Sequence, residues 1–133
     1  MKGGMNKRAA IVEVFRNAPQ MPATLLARFG RSVPAYRTAK HVEPPDGLLP
    51  DGPRPDLVTL LLDDEQKPIF AMVTMIVGRV DEAAVKRWPA VHADVQDWLG
   101  VPTDFFTYAT TDAASRRINH LLAGLTFRKY PAE

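Results

Sequence analysis

Cysteine is absent from the 133 residues, which excludes disulfides, thiolate metal centres and cysteine nucleophiles together and fits a reducing compartment. Long apolar runs are missing too. The longest falls far short of the ~20 residues that a membrane span needs, and MKGGMNKRAAIVEVF at the start lacks the apolar core and small-residue cleavage pattern of a signal peptide. The expectation is a cytoplasmic protein without membrane contact. There is no GxSxG elbow and no glycine-rich phosphate loop, and His41, His92 and His120 share no metal-ligand spacing. Serine-hydrolase, nucleotide-binding and histidine-metal chemistry therefore find no support.

What is present suits one domain spanning residues 1–133, long enough to bury about two-thirds of the surface that its unfolded chain would expose. The net charge of +2 is unevenly distributed: residues 1–40 carry eight basic and one acidic side chain, residues 41–72 two and seven, and residues 73–133 seven and seven. Basic side chains concentrated in the first third suit a phosphate backbone, although solvated helix faces produce the same count. Arg28, Arg31, Arg37 and Lys40, with Arg116 and Arg117 later in the chain, are the candidate DNA contacts.

Ile11, Val12, Val14 and Phe15 follow helical spacing, and Pro19 ends that pattern. A second short helix follows, with Pro22 in its first turn, Leu25, Leu26 and Phe29 on its buried side and Gly30 at its end. RTAKHVE reads as a short strand. Residues 44–55 contain five prolines and two Pro-Asp-Gly turn signals, a stiff loop leading into a hairpin. DLVTLLL and PIFAMVTMIV are too continuously apolar for half-exposed strands, so both should be covered on both faces, with DDEQK as the turn. Asp81 is the expected N-cap of a helix whose core stripe is Val85, Trp88, Val91, Val95, Trp98 and Leu99, kinked or split at Pro89. TDFFTYATT reads as a strand, Asp112 as the cap of a helix burying Ala114, Ile118, Leu121 and Leu122, and LTFRKY as a final edge element. The order helix, strand, strand, strand, helix, strand, helix predicts an α/β fold: a mixed four-stranded sheet flanked by helices, with a right-handed crossover.

A turn centred between Glu65 and Gln66 makes hairpin partners sum to about 131, which sets Asp56 across from Met75. Asp56 is the sole carboxylate at the entrance of its strand. Helix, three-stranded meander, helix, strand is the core order of the PD-(D/E)xK restriction-endonuclease-like superfamily. Through VEVFRNAPQMPATLLARFG, RPDLVTLLL, PIFAMVTMIVGRVDEAAVKRWP and GVPTDFFTYATTDAA, the chain resembles small bacterial proteins, common in actinomycetes, that are read as members of it.

The resemblance places the motif aspartate at Asp56, a later aspartate at Asp81 and a Trp-Pro pair at Trp88 and Pro89. It places the motif glutamate at Met75 and the Gln or Lys at Val77; a register one residue away would put Thr74 and Ile76 there. Neither pair supplies the second acid that Mg²⁺-dependent phosphodiester hydrolysis requires. Glu13 aligns with a helix glutamate of the relatives, but its spacing puts it opposite Ile11, Val14 and Phe15, on a solvated face or over a cleft. The resemblance therefore implies a catalytically degenerate domain, with Asp56 and Glu13 as remnant positions and no cofactor, that binds DNA, another protein or a second copy of itself as a homodimer. The alternatives are a Mg²⁺-dependent nuclease in which a further carboxylate joins Asp56 and Glu13, supported by Lys67 or Arg79, and a purely structural partner of another protein.

Overall fold

The computed structural model describes residues 7–49 and 53–130. Eight elements follow one another: α1 (Lys7–Arg16), α2 (Met21–Arg28), β1 (Thr38–His41), β2 (Leu57–Leu62), β3 (Pro68–Val77), α3 (Glu82–Leu99), β4 (Thr103–Ala109) and α4 (Asp112–Leu122). They make the expected α/β arrangement, a mixed four-stranded sheet flanked by helices. The strands lie in the order β1-β2-β3-β4, antiparallel except for the parallel β3–β4 pair that α3 connects.

Continuous apolar sequence becomes burial on both faces. Every residue of β2 is buried, as is β3 from Ala71 to Val77. Because side chains alternate along a strand, Met72, Ile76, Leu57, Leu61 and Phe106 meet Val12 and Phe15 of α1 and Leu26 of α2. Val73, Met75, Val77, Val58 and Phe105 meet Val85, Trp88, Val91 and Val95 of α3 and Ile118 of α4. The sheet thus lies between two helix pairs. Pairs from Leu57↔Thr74 to Leu61↔Phe70 keep the sum of 131, and a shift between Leu61 and Leu62 absorbs the bend into the turn. In that turn Gln66 has φ 63, and the Asp63 carboxylate accepts from the Glu65 and Lys67 N–H groups at 2.8 and 3.0 Å.

Several local expectations are corrected. Val14 is 54 % exposed, and α1 buries Val12 and Phe15 instead, a narrower stripe that suffices for a two-turn contact. Pro89 does not split α3, which is helical without interruption over Glu82–Leu99. Trp88 and Val91 on either side of Pro89 are buried and hold the helix against the sheet across the missing donor. Thr111, rather than Asp112, caps α4: its hydroxyl accepts from the Ala114 N–H at 3.1 Å, and Asp112 is the first helical residue. Residues 125–130 form no strand. They pack Phe127 against His92 and Phe105, at ring-centroid distances of 5.5 and 5.1 Å. The second Pro-Asp-Gly signal, at 50–52, lies outside the described residues, as does the basic Lys2.

Candidate functional site

Asp56 lies one residue before β2, where the hairpin ladder runs out, and its N–H donates to the Thr74 carbonyl at 3.0 Å. Beyond that point β3 continues without a β2 partner. The Asp56 carboxylate fills the gap: Oδ2 accepts from the Ile76 N–H at 2.6 Å and Oδ1 takes a guanidinium N–H of Arg8. Arg8 completes the ring by donating its Nε–H to the Ile76 carbonyl at 2.8 Å. A side chain of α1, the aspartate and the backbone of one β3 residue, Ile76, are thereby locked together, with the carboxylate only 11 % exposed.

This ring borders a cleft of about 250 Å³ at the end of β3, lined also by Arg54, Arg79 and Asp81. Met75 and Val77 reach it as well, but both are buried, 4 % and 9 % exposed, in the cluster under Val85 and Trp88. Asp81 caps α3, its carboxylate accepting from the Ala84 N–H at 3.3 Å. Arg54 and Arg79 are exposed and form no ion pair among the described residues.

A Mg²⁺ ion does not fit the donor set that the described residues supply, in which Asp81 is already turned to the N-terminus of α3. Both Asp56 oxygens already accept hydrogen bonds, one from a cation. A thioether is soft, and valine has no donor atom. Glu13 lies on the exposed side of α1 and does not line the cleft. Among the described residues no three histidines or acids gather in a metal-holding group.

The candidate DNA contacts do not converge. Arg28 borders an open hollow beside Tyr36; Arg31 pairs with Asp104, and Arg117 with Glu82 at 2.7 Å. Lys40 sits on the edge strand β1, Arg37 just before it, and Arg116 on α4 across the sheet. Arg8 is the cation that meets Asp56, and Arg54 and Arg79 line the same cleft. Arg54 carried no periodic or motif signal; only its place two residues before Asp56 in RPD could have pointed to it. Of the histidines, His41 bonds the Thr59 hydroxyl and the Phe15 carbonyl, at 3.2 and 3.0 Å, and His92 is a buried donor to the Thr103 carbonyl at 2.6 Å. His120 is exposed.

Comparison with family models, with curated proteins and with solved structures finds no match to this chain. Among the described residues no helix is long and apolar enough to cross a membrane.

Proposed function

We propose that the chain is a restriction-endonuclease-like domain of the PD-(D/E)xK type whose cleft has exchanged catalysis for binding, and that the bound partner is DNA. The element order and the parallel pairing of β4 on β3 support the fold part of that reading. The observation that carries the functional part is the Arg8–Asp56–Ile76 ring: the aspartate that the resemblance assigns to a metal is held by an arginine and a peptide N–H. The exposed Arg54 and Arg79 beside it leave cationic donors suited to phosphate oxygens, which set affinity and register without reading sequence.

Titrating fluorescent duplex DNA at several salt concentrations tests this. Binding should weaken linearly in log affinity against log salt. Arg54→Ala and Arg79→Ala should each weaken it equally for unrelated sequences and reduce the salt slope by about 1. No binding at low salt sinks the DNA assignment. A thermal melt with Mg²⁺ or Mn²⁺ addresses catalysis: a stabilisation that disappears in Asp56→Ala would return the metal-dependent nuclease reading.

A further inference from the structure

The cleft at the end of β3 keeps an acid that its backbone depends on. Asp56 Oδ2 accepts from the Ile76 N–H at 2.6 Å, beyond the last residue at which β2 pairs with β3, so the carboxylate stands in for a missing strand. A carboxylate in a cleft that receives phosphate is also a liability, because like charges repel across a few ångströms. Something must offset it.

Among the described residues, the charged side chains lining the cleft are Arg8, Arg54, Arg79, Asp56 and Asp81, a net charge of one positive. Each aspartate is already faced by positive charge. Asp81 accepts from the Ala84 N–H at the start of α3, where the helix dipole is positive. Asp56 has Arg8, which commits two donors of its guanidinium, Nε–H to the Ile76 carbonyl and Nη2 to Asp56 Oδ1. The Arg8 side chain is 48 % exposed against 11 % for Asp56, so the pair shows its cation and hides its anion. Without Arg8 the cleft would set two arginines against two aspartates and lose its net attraction for phosphate.

We infer that Arg8 is a positioning residue for DNA: it masks the charge of Asp56 so that Arg54 and Arg79 hold the phosphate oxygens, and it is not itself the contact that sets affinity. Opposite charges in contact largely cancel for a phosphate farther away than their own separation. Arg54 and Arg79 form no ion pair among the described residues and keep their full charge for the ligand. The mask rests on the DNA reading of the cleft. It makes α1 part of the binding site through charge alone.

The test is a double-mutant cycle on the full chain, titrated with fluorescent duplex DNA at several salt concentrations and accompanied by a thermal melt of each variant. Arg8→Gln bares the carboxylate and should weaken binding about tenfold at low salt, with a salt slope smaller by about 1. Asp56→Asn removes the charge that needs masking and should bind more tightly than wild type, with a steeper slope. Arg8→Gln combined with Asp56→Asn restores the net charge of the cleft and should return to within about twofold of the wild-type affinity and slope. Arg8→Lys keeps the cation but loses the fork, and its slope should stay unchanged. The mask is overturned if the double variant binds as weakly as Arg8→Gln, which would make Arg8 a direct phosphate contact, or if affinity follows the melting temperature instead of the charge. Should Arg8→Gln fail to fold, Asp56→Asn and Arg8→Lys decide: a slope that Asp56→Asn does not steepen, or that Arg8→Lys reduces, overturns it equally. Wild-type protein that binds no DNA at low salt removes the DNA reading and the mask with it, whereas binding without rescue removes the mask alone.

Discussion

Thr74 sits in the middle of β3, fully shielded from solvent, and its hydroxyl has no partner among the described residues. A sealed, unpartnered hydroxyl loses its water without recovering a hydrogen bond. Thr74→Val keeps the shape and should therefore stabilise the protein by about 1 kcal/mol, read as a higher urea midpoint at unchanged slope. Asp56 behaves in the opposite sense. Asp56→Ala strips acceptors from both the Ile76 N–H and Arg8 and should cost about 1–3 kcal/mol, with Asp56→Asn milder because an oxygen remains for the amide. Arg128 donates to Asp97 at 2.6 Å, and this hydrogen bond, reinforced by the positive charge against slight burial, holds the Asp97 carboxyl below its usual range and pushes Arg128 upward. A depressed carboxylate stabilises the fold above its unfolded value, and that contribution fades as pH falls through the folded one. NMR titration should find Asp97 ionised to lower pH than an ordinary aspartate, and Arg128→Ala should restore the ordinary midpoint.

Among the elements, α3 shows which signals are local and which are not. Its start and stop follow from short-range chemistry: Asp81 caps the first turn, and Gly100 ends the helix at φ 68, donating its N–H to the Gln96 carbonyl at 2.8 Å. That cap needs a left-handed backbone and nothing more, since no atom lies within 4 Å of where a Cβ would be. Gly100→Ala should thus cost about 1 kcal/mol from the backbone alone, with Gly100→Asn recovering part of it in thermal melts. The Asp81 cap is legible in the sequence because it acts within one turn. The unbroken passage through Pro89 is not, because it depends on Trp88 and Val91 being anchored by the sheet. Thr111 and Asp112 are adjacent and both competent caps, so composition cannot choose between them; the extended backbone of Thr111, at φ −138 and ψ 157, does. The last segment has the composition of a strand, yet Phe127 finds His92 and Phe105 before it reaches a sheet edge.

At the scale of the whole molecule, apolar continuity and hairpin arithmetic carry far. They yield the sheet, the pairing sum of 131 and the burial of Met75 and Val77. The cleft is less legible. Arg8 is about fifty positions from Asp56 and meets it only because α1 packs on β3, and a count of charges along the chain does not say which face each will occupy. Arg28, Arg31, Arg37, Lys40, Arg116 and Arg117 consequently scatter while Arg54 and Arg79 gather. Met72, wholly buried beneath α1 and α2, is a fair probe of the helix-covered core, and Met72→Ala should lose about 2–5 kcal/mol in denaturant unfolding. The central hairpin also limits where the chain tolerates being cut. Any shortened version that retains residues 57–77 but omits either helix pair would leave an oily wall bare to water, and such fragments should precipitate instead of folding to a smaller stable unit.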